Sequence, residues 1–277
     1  IASATACHKV DPQAHKCEVA TWNSFSEAAI SYTFDDNLQN QLDIVSPIFD
    51  KHGVKGTFYV VCDWVKDWAA WNMMAQNGHE IGCLTITHPF LAQIEDLQVI
   101  EETVHAKEIV QDNITASPCL TIAYPYCSVP RDTLLVEKNF IGARICNNHI
   151  IQQTPEDFNT ISSFVIGSES NYKTAQSVIT LFEQTRAEQG WSVLLFHEID
   201  NGSGYSPYSS VALDSTLTYL DSQASAFWVA TFADVVKYIK ERNNVKIALE
   251  EESSDEFSIS FQNDLDATIY NLPISVK

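Results

Sequence analysis

Acidic and histidine side chains stand where several predicted strands end. Asp35 and Asp36 follow one buried strand, in the segment TFDD. His88 follows a second strand in the segment THP, and His197 ends a third in the segment LLFH. Adjacent carboxylates and histidines can bind a metal ion or act as general acid and base. Each residue alone is more often structural or solvated, so it is their joint placement that favours a functional site.

The elements that must position these residues alternate between strand and helix. Strand-like runs lie at 28–34, 56–61, 79–83, 119–124, 141–146, 161–166, 192–196 and 227–231. Helical stretches lie between them at 38–51, 66–77, 95–111, 131–139, 173–189, 211–222 and 232–242. This alternation predicts parallel strands with crossover helices. Seven or eight such units fit a closed α/β barrel better than an open sheet, and barrel enzymes carry their functional residues at the carboxyl ends of the strands.

Three segments are predicted along the chain. Residues 1–27 read as a polar N-terminal arm, and residues 28–244 carry the alternating strands and helices. Residues 245–277 have charge blocks and stretches of alternating apolar residues, which predict a small β-rich extension.

Composition restricts the class of protein. The chain has 277 residues, of which 45% are hydrophobic, and this excludes general disorder. Its 16 Lys and Arg against 36 Asp and Glu give a net charge of −20. We therefore expect no nucleic-acid partner, because such binding depends on positive side chains. No apolar run reaches the roughly 20 residues of a membrane span, so no membrane partner is expected either.

Cysteine usage and two glycosylation sequons favour a secreted protein. The seven cysteines form no regular zinc-binding spacing, and the sequons begin at Asn113 and Asn201. We expect some disulfides and at least one unpaired thiol. Of the other histidines, His79 is predicted to be structural, and His52 and His105 to lie at the surface.

Seven short motifs occur in order along residues 28–242. They are TFDD (33–36), GTFYV (56–60), GHEIG (78–82), THP (87–89), YPY (124–126), LLFH (194–197) and WVATFADVVKYIKER (228–242). In this order they resemble the polysaccharide deacetylases of the NodB-homology type, carbohydrate esterase family 4. The resemblance implies a distorted (β/α) barrel of seven or eight units. It also implies removal of acetyl groups from chitin-, peptidoglycan- or xylan-like polymers, with a divalent zinc or cobalt ion.

The resemblance assigns roles to six residues. They are Asp35 as general base, His197 as general acid, Asp36 and His88 as metal ligands, Leu195 in the acetyl pocket, and Tyr126 through its backbone N–H at the oxyanion. Chemically, the ion polarises the acetyl carbonyl, the carboxylate takes a proton from water, and the histidine returns one to the leaving amine or alcohol.

One departure from the family pattern concerns the metal. The first histidine of the His-Thr-x-x-His element is replaced by Leu84, which has no lone pair to donate. Catalytic zinc normally has three protein ligands, and the pattern supplies two here. Occupancy is therefore doubtful unless Cys83 or His149 substitutes. In an extended segment, residues 83 and 84 point to opposite sides, which disfavours Cys83.

A second departure concerns the charge of the base. Many relatives carry arginine at the position of Ala123, where it pairs with the catalytic aspartate. The sequence therefore predicts that Asp35 lacks this cationic neighbour.

Two functions remain open. One is a secreted hydrolase that deacetylates a polysaccharide, weakened by Leu84; the other is a protein of the same fold that binds carbohydrate without hydrolysing it. The tryptophans at 64, 68 and 71 are predicted to pack in the core, with a sugar platform as the alternative. Tyr205 lies in a Gly/Ser-rich loop that either rims a glycan cleft or is simply a loop.

Overall fold

A computed structural model describes residues 17–253 and 256–277. The first 16 residues of the predicted N-terminal arm lie outside the described residues.

Ten strands and eight helices are assigned in this part of the chain. The strands are β1 (Ala28–Phe34), β2 (Thr57–Val60), β3 (Glu80–Cys83), β4 (Thr121–Ala123), β5 (Gly142–Arg144), β6 (Phe164–Val165), β7 (Trp191–Phe196), β8 (Phe227–Val229), β9 (Lys246–Ser253) and β10 (Glu256–Gln262). The helices are α1 (Ser46–His52), α2 (Trp68–Gln76), α3 (Asp96–Ile100), α4 (Ala106–Asn113), α5 (Leu134–Glu137), α6 (Ala175–Ala187), α7 (Ser210–Ser222) and α8 (Phe232–Asn244). The helix predicted at 95–111 forms as α3 and α4 joined by a wider π turn at 101–105.

Eight parallel strands form one curved sheet in the order β5-β4-β3-β2-β1-β7-β6, with β8 also paired to β1. An isolated bridge from Arg144 to Ile161 joins the β5 edge to the segment that leads into β6. The helices surround this sheet, so the predicted distorted (β/α) barrel is confirmed. The β9–β10 hairpin is antiparallel and forms the predicted small β extension.

The strand β1 is the centre of the sheet. Its residues pair with β7 along almost the whole strand, with β8 at its start and with β2 at its end. All seven of its side chains are buried, because a parallel strand in a barrel is covered on both faces. Tyr32 stacks on Phe196 at a ring-centroid distance of 5.8 Å, and Phe34 stacks on Phe58 at 5.0 Å. Burial of one such ring stabilises the fold by roughly 1.5–3 kcal/mol, and this packing fixes the strand end that carries Asp35.

In the described part of the chain, no helix combines the length and apolar character that crossing a bilayer requires.

Candidate active site

One cavity of about 500 Å³ opens at the carboxyl ends of the barrel strands. The structure brings all six predicted site residues to its wall: Asp35, Asp36, His88, Tyr126, Leu195 and His197. Residues from four separate strand ends therefore meet at one place, as the strand-end argument requires. A volume of this size accommodates a small ligand or one part of a larger one.

The two carboxylates are held at the end of β1. The Asp35 N–H continues the ladder by donating to the Phe196 carbonyl at 2.9 Å. The buried Gln41 amide donates to the Asp35 carbonyl at 2.6 Å and to the His197 carbonyl at 3.1 Å. Gln41 thus ties together the two strand ends that carry the predicted base and acid. Asp36 then leaves the strand in the left-handed region, with φ of 71°.

Arg144 places a positive charge next to Asp35, although Ala123 stands where many relatives carry the arginine that pairs with this aspartate. Its Nη2 donates to Asp35 Oδ2 at 2.5 Å, and both side chains are almost fully buried. The prediction that Asp35 lacks a cationic neighbour is wrong. The physical reason is the strand register: Ala123 of β4 pairs with Arg144 of β5, so the two side chains stand on the same face of the sheet. The guanidinium that β4 lacks, because Ala123 stands in place of arginine, is thus provided by Arg144 of the adjacent strand β5.

The loop that presents His88 is fixed by a glutamate. Glu102 accepts hydrogen bonds from the backbone N–H groups of Ile86 and Thr87 at 3.0 and 2.8 Å. The His88 N–H donates to Thr85 Oγ1 at 3.0 Å, and His88 itself adopts a φ of 66°. A left-handed non-glycine backbone is uncommon, and these bonds hold it in place.

His88 and Asp36 lie next to each other in the lining of the cavity. His88 Nε2 lies 3.8 Å from Asp36 Oδ1. Burial, reinforced by the neighbouring Asp35 charge and opposed by Arg144, raises the pKa of the Asp36 carboxyl to about 7. Burial lowers the pKa of His88, although Asp35 and Glu102 oppose it. The two groups are therefore placed as two donors for one cation, which would also relieve their unfavourable burial.

A third donor is lacking at this place. Leu84 is fully buried against Tyr59, Val61 and Ala123 and does not itself line the cavity. Within residues 17–253 and 256–277, no three His, Cys, Asp or Glu side chains are grouped to hold a metal ion. Asp36 and His88 thus fit two positions of a divalent cation, and Leu84 leaves the third without a protein ligand.

Neither proposed substitute for the missing ligand reaches the site. The Cys83 thiol is buried on the other side of β3, where it contacts the Thr103 carbonyl at 3.9 Å. His149 lies in a separate cleft with Asn147 and Gln152. The result for Cys83 follows from the alternation of side chains along a strand, which places residues 83 and 84 on opposite sides.

His197 lines the same cavity together with Leu195 and Tyr205. The Tyr205 ring meets the imidazole edge-on at a centroid distance of 5.0 Å. Burial lowers the pKa of His197, although the Asp35 charge opposes it, so the imidazole is neutral at neutral pH. Its Nδ1 is buried without a partner among the described residues.

Aromatic rings line the mouth of the cavity near His88. The Tyr126 ring lies 4.6 Å from the His88 ring and stacks on Phe90 at 4.0 Å. Trp64 packs on the other side of His88 at 5.1 Å and is 45% exposed. The core prediction for the tryptophans therefore holds for Trp71, which is buried, and in part for Trp68, which is half-buried against the core; it is wrong for Trp64. Exposed rings next to a cavity are suited to stacking on the apolar faces of sugars.

A disulfide closes the same wall. Cys127 and Cys146, which follow β4 and β5, are bonded and both line the cavity. The expectation of a disulfide is thus met. Cys62, Cys83 and Cys119 are buried thiols.

Sequence reasoning missed Arg144, Gln41 and Glu102. Arg144 was the easiest of the three to find from sequence, because it lies within the strand predicted at 141–146. Gln41 and Glu102 lie in helical turns that read as solvated from sequence, and only tertiary contacts give them their roles.

Comparison with known proteins agrees with this geometry. Residues 23–142 match the family model of polysaccharide deacetylase. This match covers less than half of the chain, from the start of β1 to the start of β5, and includes Asp35, Asp36 and His88. The resemblance drawn from the seven motifs is confirmed.

The other proteins that the chain resembles are distant. The chain is 26% identical over 96% of its length to a gellan lyase of Bacillus sp., and it covers only 12% of that protein. Two solved structures share the fold. An acetyl xylan esterase of Clostridium thermocellum, in complex with a cobalt ion, is 20% identical, with a TM-score of 0.55 over 75% of this chain and 89% of that one. A CE4 family pseudoenzyme from Bacillus anthracis is 19% identical, with a TM-score of 0.54 over 76% of this chain and 65% of that one.

Proposed function

We propose that the domain is a deacetylase-type hydrolase of acetylated cell-wall polysaccharide, with an intact acid–base pair and an incomplete metal centre. The observation that carries this proposal is the convergence of Asp35, Asp36, His88 and His197 on one cavity. The polymer is of the chitin, peptidoglycan or xylan class. We further propose a secreted protein, since such polymers lie outside the cell and the Cys127–Cys146 bond suits an oxidising compartment.

Asp35 acts as the base in this proposal. Arg144 holds one carboxylate oxygen, while the other, Oδ1, has no hydrogen-bond partner among the described residues. An ionised carboxylate with one free oxygen on a cavity wall can take a proton from an attacking water. Arg144 is a positioning residue, because its hydrogen bond to Oδ2 orients the carboxylate.

His197 acts as the acid and lines the same cavity. It would protonate the leaving amine or alcohol while Leu195 packs against the acetyl methyl group. Since burial lowers the pKa of His197, protonation of this acid requires acidic pH. Acid also protonates the cation donor Asp36, whose pKa is raised to about 7, so the two effects on deacetylation oppose each other as pH falls.

Asp36 and His88 would hold a divalent cation. Such an ion, when bound, polarises the acetyl carbonyl and acidifies water. With two protein donors instead of three, the ion is weakly held, and turnover is low.

A second candidate function is carbohydrate binding without hydrolysis. The buried Leu84 at the place of the third ligand is the observation that favours it. The aromatic residues at the mouth of the cavity would serve this function equally well.

Restoring a histidine at position 84 distinguishes the two candidates. We expect wild-type protein, dialysed against zinc, to contain less than one metal ion per chain by elemental analysis. Leu84→His should raise zinc affinity at least about tenfold and increase acetate release from acetylated oligosaccharides. Loss of a residue that only supports a metal ligand typically lowers metal affinity about 10–100-fold, and a direct ligand should contribute at least as much. Leu84→Phe, a ring without a donor atom, is the matched control.

Each outcome decides between the candidates. Metal binding by Leu84→His without acetate release would leave carbohydrate binding as the function. A stoichiometric, active wild type would show that Leu84 does not limit the metal site. Thermal melting of both variants checks that the buried substitution leaves the fold intact.

A further inference from the structure

A second, polar cleft adjoins the candidate active site. It encloses about 430 Å³ and shares Val165 and Tyr205 with the catalytic cavity. Tyr205 is 53% exposed, so its ring stands at the junction of the two spaces. The two cavities therefore adjoin each other at Val165 and Tyr205.

Two loops that are bonded to each other form the wall of this cleft. The Ser168 N–H donates to the Pro207 carbonyl, and the Glu169 N–H donates to Ser206 Oγ, each at 3.1 Å. Gly167 makes the close approach possible: its φ is 131°, and a Cβ there would lie 2.0 Å from the Ser206 carbonyl oxygen. The loop that carries Tyr205 is thus fixed by the loop at 167–173, which pre-organises the cleft.

The side chains around the cleft suit the hydroxyl groups of a sugar. Asn148 accepts a hydrogen bond from the Val165 N–H at 3.3 Å, which leaves its amide N–H groups to donate elsewhere. Glu169 and Lys173 line the same space with opposite charges. In the described part of the chain, Lys173 forms no ion pair. A lining with donors, acceptors and no excess charge favours a neutral hydroxylated ligand over an anionic one.

We propose that this cleft is a second sugar subsite, which binds a neutral pyranose unit further along the polymer from the unit in the catalytic cavity. The inference rests on the proposed function and adds to it that the ligand is an extended oligosaccharide. Tyr205 separates the two units and packs against both. Asn148 and Lys173 bind hydroxyl groups of the outer unit.

Dependence of affinity on oligosaccharide length tests the subsite. Isothermal titration calorimetry of the full chain uses trisaccharides and hexasaccharides of two series, N-acetylglucosamine and acetylated xylose. We expect the wild type to bind the hexasaccharide of one series at least about tenfold more tightly than its trisaccharide, since two ordinary hydrogen bonds give about this factor. The double variant Asn148→Ala/Lys173→Ala should lose this preference and keep its affinity for the trisaccharide. Lys55→Ala, a partly exposed lysine before β2, is the matched control.

The outcomes distinguish the subsite proposal from the proposed function on which it rests. Equal affinities of the wild type for both lengths, or a double variant that keeps the preference, would overturn the subsite and leave the proposed function. Failure of the wild type to bind any of the four probes would overturn both.

Discussion

Asp35 and Arg144 form a buried ion pair that links β1 to β5 across the sheet. Each ion has lost water on folding, and the pair is favourable only because the partners meet at hydrogen-bond distance. Asp35 lines the cavity and Arg144 does not, so the ion pair leaves the cavity side of the carboxylate open for proton transfer.

Removal of the cation should destabilise the whole fold. Arg144→Met leaves Asp35 buried and uncompensated, and we expect a loss of about 3–5 kcal/mol in the free energy of unfolding. Urea unfolding at pH 7 measures it. Arg131→Met is the control, since this exposed arginine lies 4.0 Å from Glu95 and should cost less than about 1 kcal/mol. A loss for Arg144→Met as small as that of the control would contradict the structural role of the pair.

Residue types at strand ends could be predicted, and their partners could not. Asp35, His88 and His197 each follow an apolar run that marks a strand, so their shared location follows from barrel geometry. The Arg144 contact depends on the register of β4 and β5, two strands of only three residues each. Strands this short carry too little pattern to fix a register from sequence.

At the scale of elements, His52 connects α1 to α7. Its Nδ1 lies 2.5 Å from Asp221 and its Nε2 lies 2.9 Å from Asp214, which also binds Lys51. The imidazole side chain is only 4% exposed, so the surface position predicted from sequence is wrong. An α1 face that reads as solvated is covered because α7, more than 150 residues later, packs against it.

This contact predicts a stability that falls as pH rises. Burial opposes protonation of His52, but hydrogen bonds to Asp214 and Asp221 outweigh it, so the pKa is raised in the folded protein. The stabilisation is fully present below the unfolded value of about 6.5 and is lost as pH rises through the folded pKa. Unfolding free energies of the wild type and of His52→Gln, measured from pH 5.5 to 9, should converge at the alkaline end.

The control for this prediction is His105→Gln. His105 pairs with Glu101 but is half exposed, so its removal should change the pH profile little. A gap between wild type and His52→Gln that stays constant across this range would mean that the contact does not depend on protonation.

At the scale of the whole molecule, the net charge of −20 determines which polymers are repelled electrostatically. A neutral oligosaccharide has no long-range interaction with this field, whereas a polyanion is repelled at low ionic strength. We expect hexasaccharide affinity to change less than about twofold between 20 and 300 mM salt. Polygalacturonate should show no binding at the lower salt, and tight binding that weakens with salt would reveal a basic surface and contradict the neutral-ligand proposal.

The three segments predicted along the chain meet at residues 27/28 and 244/245. We propose that the barrel ends with α8 at Asn244 and that the extension begins with β9 at Lys246. The two ends of the described chain meet, since the Ala20 N–H donates to the Ser275 carbonyl at 2.8 Å. The extension therefore supports the irregular segment that leads into β1.

The central position of β1 has a consequence for synthesis on the ribosome. Only its last two residues pair with β2, while its partners in β7 and β8 begin at Trp191 and Phe227. The nascent chain must carry an apolar strand with open edges until most of the protein has emerged, which exposes it to aggregation and to proteases. A fragment ending at residue 142 would contain the whole family match and still lack the strands that complete β1.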